Sequence, residues 1–237
     1  MKYLKKICGE LQVIADSTRA QWLEKFFKTG VGEYGEGDVF LGITVPCLRA
    51  VAKRYFQTIS FEEISLLLAD EVHEYRLLAL LILILKYRDT RVISEQKIIY
   101  DFYFEHIERI NNWDLVDISA PNLVGDYLFN RTKARLYTLV KDKILWNRRI
   151  AIVATWYFIR HNCFSFTLNL AELLLKDKED LLHKAVGWML REVGKRDFGL
   201  LDEFLSKNYR AMPRTMLRYA IEKFPFSLRK SYLDDLK

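Results

Sequence analysis

Residues 149–160 read RIAIVATWYFIR, residues 184–195 read KAVGWMLREVGK and residues 214–224 read RTMLRYAIEKF. Each stretch repeats apolar side chains at i, i+3, i+4 and i+7, the period of a helix with one buried face. Each also opens on a cation. Two earlier segments open on a cation or a Trp, at Arg76 and at Trp113. The five markers, Arg76, Trp113, Arg149, Lys184 and Arg214, lie 37, 36, 35 and 30 residues apart. Ahead of or between them lie 61–69, 94–108, 131–140, 166–175 and 199–207, each with room for a partner helix.

Self-similarity at such a period is the signature of stacked helical repeats. The expectation is an all-α protein: a superhelical solenoid of about six HEAT-like antiparallel helix pairs, forming one domain over 1–237. Composition agrees. Gly (10) and Pro (4) are too few for the regular turns of a β-sandwich or barrel. Leu77–Leu85 is an unbroken apolar run between Arg76 and Lys86. It is far short of the roughly 20 residues of a membrane span and reads as a buried core helix. The opening MKYLKKICGELQVI has no apolar core or cleavage site of a secretory signal. The expected location is therefore the cytoplasm, at the nucleoid when bound to DNA. Cys8, Cys47 and Cys163 and the four histidines show no ligand spacing, so no metal or other cofactor is expected.

Charge is distributed unevenly. Residues 1–130 hold 15 Lys+Arg against 19 Asp+Glu, net −4; residues 131–237 hold 22 against 12, net +10. A basic half on a folded protein suggests a polyanionic partner, although charges also simply flank apolar helices. In a solenoid the second helix of each pair lines the concave wall. The markers open those helices, where free backbone N–H groups also suit phosphate oxygens.

Four constellations carry candidate chemistry. Trp113 and Asp117, at i and i+4, share a helix face. A Trp beside a carboxylate can stack on a sugar or base and hold charge against it, but Trp113 also reads as core and Asp114 as an N-terminal cap or helix-dipole partner. Lys184, Trp188 and Arg191 fall on a second face, where a Trp between two cations fits a nucleic-acid wall. Arg148 and Arg149 follow Trp146 and can reach phosphates. Arg214 and Arg218 make a basic stripe. The loop KTGVGEYGEGDVFLGI (28–43) is glycine-rich but lacks the Lys-Ser/Thr ending of a phosphate loop. Its acids Glu33, Glu36 and Asp38 would repel phosphate, and it reads as an ordered connector.

These residues, in this order, resemble the AlkD-type DNA alkylation repair glycosylases. The likeness rests on Phe40-Leu-Gly-Ile with Pro46, Trp113-Asp-x-x-Asp117, Gly125-Asp126, Trp146-x-x-Arg149 and Lys184-Ala-x-Gly-Trp188-x-Leu-Arg191-Glu, and spans roughly 20–225. The resemblance implies removal of N3- and N7-alkylated purines from DNA without base flipping. It also implies roles. Trp113 and Trp188 would pack on deoxyribose, Asp117 would be the catalytic carboxylate, and Arg149 and Arg191 would hold DNA. Three departures stand out. Asn112 occupies a place where some members have a second Trp, Phe26 falls at a Tyr of some members, and the loop at 30–37 is an insertion.

The expected function is thus a DNA N-glycosylase acting as a monomer on double-stranded DNA. The catalytic candidates are Asp117, Trp113 and Trp188; the DNA-binding candidates are Arg148, Arg149, Lys184, Arg191, Arg214 and Arg218. The alternatives are a non-catalytic DNA-binding module for distorted or branched DNA, and a protein-interaction scaffold.

Overall fold

The computed structural model describes residues 2–234. In chain order its helices are α1 (Lys2–Val13), α2 (Ser17–Phe27), α3 (Val45–Tyr55), α4 (Phe61–Ala69), α5 (His73–Asp89), α6 (Ile93–Glu105), α7 (Trp113–Ser119), α8 (Asp126–Leu128), α9 (Ala134–Leu139), α10 (Leu145–Arg160), α11 (Ser165–Leu173), α12 (Asp180–Gly194), α13 (Phe198–Asn208), α14 (Arg214–Ala220) and α15 (Phe226–Leu233). The protein is all-helical. Among the described residues the only extended pairing is an isolated parallel bridge between Val39 and Val72. Contacts divide the chain into two compact units, Met1–Ser119 and Ala120–Lys237.

The first unit is organised by α5. This helix is apolar on every side, so it has no face to give to water. Leu77 through Ile84 are all buried, and α3, α4, α6 and α7 pack around it. Helix α4 starts where its sequence dictates. Ser60 accepts from the Glu63 amide while the Glu63 carboxylate reaches back to the Ser60 amide, a capping box. The same carboxylate also accepts from Tyr3 N and Leu4 N, satisfying the first turn of α1.

The second unit shows the repeat directly. Its first segment, Ala120–Gly125, is a π-helical turn packed on α10. Helices α9, α11 and α13 are followed by α10, α12 and α14, and these second helices pack on one another in series: α10 on α12, and α12 on α14. Two glycines allow close crossings. A Cβ at Gly125 would lie 2.2 Å from the Ala154 carbonyl oxygen. One at Gly187 would lie 2.5 Å from both the Met216 carbonyl oxygen and the Tyr219 Cβ. Both glycines belong to motifs quoted above, and both serve helix packing.

Candidate functional site

Helix α7 begins Trp113-Asp-Leu-Val-Asp117, and its first turn is fastened by a buried polar network. Asn112 is fully buried; its Nδ2 donates to Asp38 Oδ2 at 3.0 Å and its Oδ1 accepts from Trp113 N at 2.8 Å. His73, 2 % exposed, lies between two carboxylates. Its Nδ1 is 3.0 Å from Asp38 Oδ2 and its Nε2 is 2.8 Å from Asp114 Oδ2. Arg76, equally buried, donates to the other oxygen of Asp38. Burial alone would push the His73 imidazole down. The charge and hydrogen bond of Asp114, joined by those of Asp38, outweigh it and raise the pKa to about 9. Burial likewise opposes ionisation of Asp38, yet His73, Arg76 and Asn112 hold its carboxyl below the usual range. At neutral pH His73 is therefore a buried imidazolium beside the Asp38 carboxylate.

Above this network lies a layer of rings. His73 stacks on Phe40 with centroids 4.6 Å apart, Phe40 on Phe27 at 5.0 Å, and Phe27 on Trp113 at 5.1 Å with 8° between planes. One face of Trp113 is thus covered and the ring is half-buried. Both readings of Trp113 hold part of the truth: it packs against core and still presents surface. Asp117, one turn on, is also half-buried. Beside Trp113 opens a cleft of about 290 Å³, bordered by Arg19, Leu23, Phe27, Val45 and Asp114. The loop leading to it turns at Gly42, whose φ of +79° favours glycine. The Glu74 carboxylate gathers the amides of Leu41, Gly42 and Ile43.

In the second unit the expected cations sit on three helices packed in series, but most have partners. Arg149, on α10, is 5 % exposed and donates to the Leu181 carbonyl in the first turn of α12. The sequence reading of a groove-facing cation does not match this burial; the guanidinium ties two helices together. Arg148 is held by the Asp177 carboxylate at 2.7 Å and by the Asp142 and Lys143 carbonyls. Lys184 pairs with Asp180 at 2.7 Å, and Arg191 pairs with Glu222. Trp188 is half-buried, 6.4 Å from Trp156 between centroids. Arg214 and Arg218 are exposed, with no ion pair among the described residues.

The chain matches the family described as DNA alkylation repair enzyme over residues 7–224. It belongs to that DNA alkylation repair family. Solved structures with a similar fold include a chain described as a predicted DNA alkylation repair enzyme from Enterococcus faecalis. That pair shares 16% identity with a TM-score of 0.68, over 90% of this chain and 97% of the other. AlkD2 from Streptococcus mutans superposes with a TM-score of 0.54 at 16% identity, over 95% and 98%. No curated protein matches the chain. In this member of the DNA alkylation repair family, Trp113 and Asp117 on α7 stand over the buried network of Asp38, His73, Arg76 and Asn112.

The sequence reading missed that foundation. In sequence Asp38 reads as a phosphate-repelling loop acid, His73 as a scattered histidine, Arg76 as a wall cation and Asn112 as a departure. Folded, the four form one network. The signal was weak but present: Arg76 and His73 stand one turn apart at the start of an otherwise apolar helix, and a buried charge demands a partner. Glu33 and Glu36 also act locally, accepting from Gly30 N and Gly32 N. Among the described residues no cluster of His, Cys, Asp and Glu is arranged to hold a metal ion.

Proposed function

We propose that this chain is a DNA glycosylase that releases cationic N3- and N7-alkylated purines from duplex DNA, without a base-flipping pocket and as a monomer. The observation that carries the reading is the α7 motif. Trp113 and Asp117 share one face of a helix whose first turn is locked by four buried polar residues, so ring and carboxylate are presented in a fixed geometry.

The chemistry suits so small a set. An alkylated N3 or N7 purine already carries positive charge. The C1′–N bond breaks with its electron pair returning to the purine, which leaves neutral and needs no general acid. Positive charge then develops on the sugar. Asp117 stabilises it and accepts a proton from the water that bonds to C1′. Trp113 gives the sugar an apolar wall on the side away from water. In the second unit Trp188 supplies a further ring against DNA, and Arg214 and Arg218 supply the exposed phosphate contacts. Lys184 and Arg191 contribute by exchanging carboxylate for phosphate. Arg148 and Arg149 act indirectly, by fixing the ends of the helices that carry the others.

The decisive experiment measures base release from methylated duplex DNA by the wild type and by Asp117→Asn. Release of 7-methylguanine and 3-methyladenine by the wild type alone is expected, with no release of uracil. A wild type that binds duplex DNA and releases nothing would instead establish the non-catalytic module.

A further inference from the structure

Helix α2 leaves two large aromatic rings in water. Trp22 is 57 % exposed and Phe26 is 49 % exposed. They stand one turn apart and stack on each other, with centroids 5.0 Å apart and 13° between planes. Phe26 then meets Trp113 edge-on at 6.1 Å. The aromatic series that begins at buried His73 thus runs through Phe40, Phe27, Trp113 and Phe26 and ends in solvent at Trp22. Among the described residues no other ring stacks on Trp22. Arg19, exposed and three residues before Trp22 on the same helix face, borders the cleft beside Trp113.

Packing within the first unit accounts for Phe26, which meets Phe27 and Trp113 edge-on, but leaves Trp22 mostly in water. Their arrangement has a use. Phe26 backs Trp22 and holds its ring flat, which lowers the entropy lost when another ring stacks on it. A guanidinium one turn away complements a phosphate. A flat ring beside a cation is the recurring surface for an unpaired nucleotide, because every base offers a π-face. In intact duplex DNA both faces of each base are covered by neighbours. Only a base that has lost a stacking neighbour can occupy Trp22.

We propose that Trp22 is a stacking platform for a DNA base left unstacked beside a damaged nucleotide, with Arg19 holding its phosphate. This rests on the reading that duplex DNA is the substrate. It extends that reading from the lesion's sugar to a neighbouring or opposing base. Stacking of a base on an aromatic side chain contributes about 1–3 kcal/mol, a factor of roughly 5 to 150 in affinity.

The test compares binding to two otherwise identical duplexes, one fully paired and one carrying a single unpaired adenine. The wild type should bind the second more tightly. Trp22→Ala should lose at least about fivefold of that preference, with affinity for the paired duplex little changed. Trp22→Phe should keep most of it, and Arg19→Gln should weaken both complexes and reduce their salt dependence. An unchanged far-UV circular dichroism spectrum is expected for each variant, since these side chains are exposed; were Trp22→Ala to unfold, Trp22→Phe and Arg19→Gln carry the comparison. Equal wild-type affinity for the two duplexes, retained preference in Trp22→Ala, or equal weakening of both complexes by it would each overturn the proposal. Variants indistinguishable from wild type on both duplexes would overturn it as well. Failure of the glycosylase reading looks different: the unpaired-base preference persists while no alkylated base is released.

Discussion

Raising the pH should loosen the base of α7 before it touches anything else in the motif. His73 titrates near 6.5 when unfolded and at about 9 in the folded protein. The folded state therefore binds the proton more tightly, and the imidazolium stabilises it. That contribution is fully present below pH 6.5, shrinks between 6.5 and 9, and is gone above 9. Each unit of pKa shift corresponds to about 1.4 kcal/mol. The shift from 6.5 to about 9 thus gives an upper bound of about 3.5 kcal/mol for the first unit. Asp38 does not confuse the sign, because its carboxyl is held below the usual range and so titrates outside this window.

The assay is urea unfolding of the wild type and of His73→Gln at pH 6, 8 and 9.5, followed by tryptophan fluorescence. Gln keeps a hydrogen-bonding side chain without the titrating charge. The wild type should lose about 2–3 kcal/mol more than the variant over this range. Subtracting the two curves removes the tyrosines, lysines and cysteines common to both. Parallel curves would refute a charged His73, and so would a wild type that gains stability on the variant as pH rises.

Three further outcomes are expected. Asp117→Asn should lower the rate of alkylpurine release about 10²–10³-fold and leave duplex affinity unchanged or higher, as measured by single-turnover release and by fluorescence anisotropy. Duplex affinity should fall with salt at about 0.9 log units per phosphate neutralised, and Arg214→Gln with Arg218→Gln should flatten that slope, read from anisotropy titrations across salt. Gly187→Ala should lower the stability of the second unit by about 1–3 kcal/mol, because its Cβ would meet the Met216 carbonyl and Tyr219 Cβ at 2.5 Å; calorimetry would show a lower transition temperature.

What the sequence disclosed and what it withheld divide along a physical line. Helix positions follow from apolar period, which is local and repeated. The first helices expected at 61–69, 166–175 and 199–207 are found at Phe61–Ala69, Ser165–Leu173 and Phe198–Asn208. Segment 131–140 overshot: helix α9 covers only Ala134–Leu139, with Lys133 before it at φ −96° and ψ 13°, outside helical geometry. The segment 94–108 holds two elements, α6 and a 3-10 turn at Ile107–Arg109.

The charges were harder to read, because a cation's role depends on partners far away in sequence. Arg76 meets Asp38 across 38 positions and Arg149 meets Leu181 across 32. A basic residue opening an apolar helix looks the same whether it faces phosphate or closes a buried network. Desolvation decides between the two: a guanidinium at 2 % or 5 % exposure must be satisfied within the protein. The even row of markers therefore separates into different jobs. Arg76 helps build the footing of α7, Arg149 ties α10 to α12, Lys184 is paired on its own helix, and Arg214 keeps its charge in solvent. Asn112 joins that footing by donating to Asp38 and accepting from Trp113 N. This chain thus supports Trp113 and Asp117 with buried charge, and that makes the presentation of its motif dependent on a proton held by His73.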